Sequence, residues 1–110
     1  MTPINIKEMQ RNLESSTNKV AKKDLLDAGY FNLALIYLNE GQEIPPHPEG
    51  YDVVFYVIDG EGTITVGVEQ FEVTEGSLIY SPKNMNRGIK SVRKLSLLGI
   101  RENVEEKTGN

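Results

Sequence analysis

A chain of 110 residues holds one domain, and with no cysteine it can form no disulfide, thiolate metal centre or thiol nucleophile. The 16 acidic and 12 basic residues leave a net charge of −4. The nearest thing to a basic patch (Lys83, Arg87, Lys90, Arg93, Lys94) is diluted and lacks interleaved aromatics, so nucleic acid is not an expected partner. No apolar run reaches the length of a leader core or a membrane span, so the expectation is a soluble, cytoplasmic protein with no membrane partner.

Residues 1–18 are polar and mixed and read as a loose N-terminal arm, with Ile4, Ile6 and Met9 available to hold it to a surface. Lys22–Ala28 could form a helix, but Leu25 and Leu26 alone give it no convincing apolar face. Asn32–Leu38 is a nearly all-apolar strand that ends at Asn39-Glu40-Gly41. Val53–Ile58 is a β-branched and aromatic run closed by Asp59-Gly60, and its unbroken apolarity predicts a strand covered on both faces. Thr63–Val68 alternates, with Ile64, Val66 and Val68 on one side, as a half-buried strand does. Phe71–Thr74, Ser77–Tyr80 and Leu95–Ile100 complete the set, and residues 102–110 have the composition of a flexible tail. Short strands punctuated by Gly, Pro and Asn predict an all-β barrel over residues 19–101.

The punctuation has a finer pattern. Gly41 is followed by five residues and His47, then Glu49, Val53 and, after six more, Gly60. Gly76 is followed by five residues and Pro82, then Asn84, Arg87 and Ser91. These spacings resemble the two motifs of the cupin superfamily, and the resemblance covers roughly residues 30–101. It implies a jelly-roll β-barrel and, in metal-binding members, an ion held by three His and one Glu. Here Glu49 stands at the second His, Val53 at the Glu and Arg87 at the third His, while Asn84 and Ser91 stand at a Gly and an Asn. Valine cannot ligate, and a guanidinium has no lone pair to offer and repels a cation. His47 is the only histidine, so no other imidazole can substitute. Neither a metal nor another cofactor is expected.

Side chains alternate across a strand, so residues of the same parity as His47 (Glu49, Tyr51, Val53, Phe55 and Val57) should face the interior. The expected ligand-binding residues are thus His47, Glu49, Tyr51 and Arg87, with His47 as the candidate catalytic acid or base. Glu49 and Arg87 have two readings: an internal ion pair that replaces the metal, or an arginine free to bind an anion. The opposite parity puts Val54, Tyr56 and Ile58 on an apolar outer stripe. That stripe predicts a homodimer, unless the N-terminal arm covers it. The functional expectation is a metal-free domain that binds a small anionic molecule, a sugar or organic acid. The alternatives are an isomerase or epimerase with His47 as acid/base and Arg87 stabilising an oxyanion, and a structural or regulatory module without turnover.

Overall fold

The computed structural model describes residues 2–16 and 19–104. One helix, α1 (Ile6–Ser16), precedes seven strands: β1 (Ala21–Asp27), β2 (Phe31–Leu38), β3 (Glu43–Pro48), β4 (Val53–Val66), β5 (Glu69–Thr74), β6 (Leu78–Ser81) and β7 (Asn86–Glu102). All pairings are antiparallel, in the order β1-β2-β7-β4-β5, with β3 on β7 and β6 on β4. This is the predicted all-β jelly roll in one domain. Residues 105–110 of the expected tail lie outside the described residues, and Glu102 belongs to β7.

β4 and β7 pair along their whole length and hold the barrel together. One half of each belongs to a layer with β1, β2 and β6, and the other half to a layer with β3 and β5. The register shifts between Val57 and Gly62 let the pair turn the corner between the layers. The Asp59-Gly60 step is therefore a bulged corner inside one long strand, and not the turn expected from the sequence. Gly60 has φ 93°, and a Cβ there would collide with the Lys94 carbonyl, so only glycine fits. β7 likewise begins at Asn86, well before the expected Leu95, because the polar and basic residues between them point outward or to the cavity.

One further expectation needs correcting, and a segment the sequence left unassigned takes its place in the sheet. The N-terminal arm is helical over Ile6–Ser16: Ile6, Met9 and Leu13 recur at helical spacing, and the Asn5 side chain accepts the Glu8 backbone N–H at 2.9 Å as an N-cap. The Lys22–Ala28 segment is strand β1, paired with β2 from Ala21↔Tyr37 to Asp27↔Asn32, with its mixed composition suited to a sheet edge.

The core inside the barrel is built from Leu38, Val53, Phe55, Val57, Ile64, Val66, Val73, Ile89, Leu95 and Leu97. On the outside, helix α1 packs on β1 and β2, and Gln10 donates to Asp59 across this face. Leu35 and Tyr37 are buried, and so is Ile58. The expected outer stripe is thus divided. Ile58 is closed off within the chain, while Tyr56 stays 40% exposed beside Leu78 and Tyr80 of β6.

Candidate functional site

A cavity of about 220 Å³ opens at the end of the barrel formed by the start of β4, the end of β7 and the loop at residues 49–52. Its lining includes all four sequence-predicted residues, His47, Glu49, Tyr51 and Arg87. Val53 and Phe55 line it too, as parity requires, and Val57 lies fully buried below them. The two motif loops are tied to each other. The Asn84 N–H donates to the Glu49 carbonyl at 2.7 Å, and the Lys83 N–H donates to the Asp52 carboxylate at 2.8 Å. Asn84 has φ 68°, which asparagine tolerates better than other non-glycine residues; this explains how it stands at the motif's glycine.

Glu49 and Arg87 do not pair with each other. Glu49 accepts from His47 Nε2, while His47 Nδ1 donates to the Pro45 carbonyl at 2.8 Å. An imidazole that donates from both nitrogens is the imidazolium form. Accordingly the Pro45 carbonyl, then the Glu49 carboxylate, raise the His47 pKa above its usual value. His47 and Glu49 together form a charge-neutral couple at the cavity rim.

Arg87 is turned inward and is 6% exposed. Its Nε donates to Ser81 Oγ at 2.8 Å, and its Nη2 donates to the carbonyls of Tyr51 and Ser81 at 2.7 and 3.0 Å. Nη1 is buried without a partner. The guanidinium therefore works first as a fork that fastens the end of β6 to the loop at Tyr51. Its charge is left without a counter-ion among the described residues.

The sequence reading missed Arg101. This side chain lines the same cavity, and its guanidinium carbon stands 4.5 Å from the Tyr51 ring centroid, with that of Arg87 at 5.0 Å from the same ring. Both contacts are of cation–π length. No carboxylate of the described residues pairs with Arg101 either. The signal was parity: Arg101 is in step with Leu95, Leu97 and Gly99, but a strand ended at Ile100 hides it. Lys22 of β1 is a third cation on the lining, with a loose, exposed contact to Asp24 at 4.0 Å. In a chain of net charge −4, this cavity carries Lys22, Arg87 and Arg101 in addition to the His47–Glu49 couple, whose carboxylate is its only one.

A metal ion does not fit these residues. Both His47 nitrogens are engaged, Val53 offers no donor, and two guanidiniums share the space. Among the described residues, no three His, Cys, Asp or Glu side chains converge on a point that could hold an ion. Nor is any described helix long and apolar enough to cross a membrane.

Residues 34–98 match the sequence model of the family described as Cupin domain. An uncharacterized protein of Streptomyces coelicolor is 32% identical over 69 residues, which are 63% of this chain and 66% of that protein, just under two thirds of its length. A solved Thermus thermophilus structure is similar with a TM-score of 0.80 at 25% identity, over 93% of this chain and 97% of that one. A cupin superfamily protein of Desulfitobacterium hafniense aligns with a TM-score of 0.77 at 16% identity, over 87% and 88% of the two chains. KdgF from a Halomonas species aligns at 0.75 and 13%, over 83% and 84%; at such identities the likeness is one of fold.

Proposed function

Since this chain belongs to the cupin superfamily and its cavity is lined by two arginines, one of which, Arg87, stands at an expected ligand position, we propose that it binds a small anionic organic molecule without a metal. A sugar or an organic acid is the ligand class in view. The observation that carries this reading is the pair of guanidiniums on the Tyr51 ring, in a largely apolar cavity, with no carboxylate partner among the described residues. The buried Arg87 guanidinium has an Nη1 without an acceptor, and a desolvated cation is costly unless an anion meets it, so an anion in the cavity would relieve that cost. At about 220 Å³ the cavity is smaller than the roughly 300–1,000 Å³ typical of drug-sized ligands, which limits the ligand to a small molecule. Thermal unfolding against a panel of organic acids, sugar acids and sugar phosphates tests the reading. A ligand of the folded state raises the melting temperature in proportion to its occupancy. At least one anion class should do so while its neutral analogues do not. No shift from any of them overturns the proposal.

The second reading is an isomerase or epimerase, and the His47–Glu49 couple favours it. The Pro45 carbonyl and the Glu49 carboxylate both accept from the His47 ring and raise its pKa, which suits His47 to the role of acid better than that of base. Deuterium incorporation into a bound ligand, lost in His47→Ala, is the result that would establish turnover. The open cavity speaks against a purely structural module, which would pack Tyr51 and Phe55 across it.

The protein is also proposed to act as a cytoplasmic homodimer, through Tyr56, Leu78 and Tyr80. These are 40%, 66% and 57% exposed on one continuous outer face. An apolar surface of this kind on a small domain is suited to association.

A further inference from the structure

The walls of the cavity say more about its ligand than its charge does. Below the mouth they are Ala34, Ile36, Ile44, Val53, Phe55 and Ile89, with Gly99 between Ala34 and Phe55 in the sheet register. The polar groups gather at the mouth, and most are already committed. His47 and Glu49 bond to each other, and three of Arg87's donor contacts go to Ser81 and Tyr51. The Nε of Arg101 is buried without a hydrogen-bond partner, and no carboxylate among the described residues pairs with its guanidinium. Arg101 stands between Asn32 and Val53 in register, two residues from Gly99 along β7.

We propose that the cavity takes a monocarboxylate with a compact apolar body, its carboxylate on the Arg101 guanidinium and its body over Gly99. This rests on the anion-binding reading and narrows it. A carboxylate matches the planar fork of arginine and replaces the missing counter-ion. A polyhydroxylated body would lose hydrogen bonds to water against these walls and regain few, at a cost for each buried hydroxyl. An aromatic or branched aliphatic body loses nothing there and gains contact. Gly99 supplies the room. Its φ is not in the left-handed region, and a Cβ placed on it would stand 3.5 Å from Ile36 Cδ1 and 3.7 Å from Phe55 Cε1. Those are ordinary contacts, so neither strain nor collision requires glycine here. The missing side chain is cavity volume.

Titration calorimetry with benzoate, pivalate, acetate, gluconate and benzyl alcohol tests the assignment. Benzoate or pivalate should bind more tightly than gluconate, and benzyl alcohol should not bind. Arg101→Gln should weaken benzoate by about tenfold or more, since a hydrogen bond to a charged group is lost. Gly99→Ala keeps the fold by the contacts above, which a melting curve verifies. It should weaken benzoate by about tenfold, the usual effect of one methyl in a filled apolar pocket, and leave acetate unchanged. Gluconate binding as tightly as benzoate, or benzoate binding untouched by Gly99→Ala, overturns the ligand class while the anion site stands. If none of the carboxylates binds the wild type, this inference falls, and the anion reading then stands or falls on the sugar phosphates of the thermal-shift panel.

Discussion

Replacing Arg87 by methionine keeps the length of the side chain and removes the fork that fastens β6 to the loop at Tyr51. Ser81 is fully buried, so its Oγ and its carbonyl, now served by Arg87 at 2.8 and 3.0 Å, are left without that donor. An unpaired buried polar group costs about 1–3 kcal/mol. Two such groups give about 2–6 kcal/mol, and relief of the uncompensated charge offsets part of this, leaving about 2–4 kcal/mol. For a domain whose whole stability is of the order of 5–15 kcal/mol this is a large fraction. Urea denaturation should show the midpoint falling with the slope unchanged. Arg87→Lys should recover little, because a single ammonium cannot reach the same acceptors at once. In a double-mutant cycle, Ser81→Ala on the Arg87→Met background should cost less than Ser81→Ala alone. A variant within about 0.5 kcal/mol of wild type, the scale of ordinary surface changes, refutes the reasoning. It would mean that the guanidinium spends its time in water.

Other outcomes follow from the same geometry. The His47 pKa, read by NMR titration of the ring, should lie above its usual value, held there first by the Pro45 carbonyl, and fall part of the way in Glu49→Gln; a value unmoved by that change contradicts the couple. Because the folded-state pKa is raised, whatever the couple adds to stability is complete below the unfolded value of about 6.5 and is lost as pH rises through the folded value. Leu78→Lys should give monomers in sedimentation with the fold intact, whereas a wild type already monomeric at high concentration rules out the β6 face as an interface. Gly60→Ala should destabilise strongly, since its Cβ meets the Lys94 carbonyl, and an unchanged melting curve would place the barrel corner elsewhere.

Most of the barrel was legible because hydrophobic period and glycine spacing survive in single residues. Parity counted from His47 agrees with the lining at Glu49, Tyr51, Val53 and Phe55, although the chain bends at Gly50 and Tyr51, so that alternation alone does not account for the agreement before β4. What failed was continuity. Asp59-Gly60 has the composition of a turn and the structure of a bulge, and no local signal separates the two: the partner strand β7 decides. β1 carries too few apolar residues for either pattern and becomes a strand only because β2 offers an edge. The helix was readable, since Asn5 and Glu8 have capping-box spacing at the start of a segment in which Ile6, Met9 and Leu13 recur at helical spacing, but polar composition masked the period. At the candidate site, the four residues read from the sequence line one cavity, Arg101 was missed, and one bond was misassigned. Arg87 and Glu49 do line one cavity, but Arg87 finds backbone carbonyls, which carry no signature in the sequence, and Glu49 finds the imidazole two residues away.

Titrating benzoate into the wild-type protein, first with a strong chelator present and then with added divalent transition metal, tests most directly whether arginine has taken the metal's place. Saturable binding that survives the chelator, ignores the metal and is lost in Arg101→Gln is the predicted result. Binding that appears only with the metal, and is indifferent to Arg101, would contradict it.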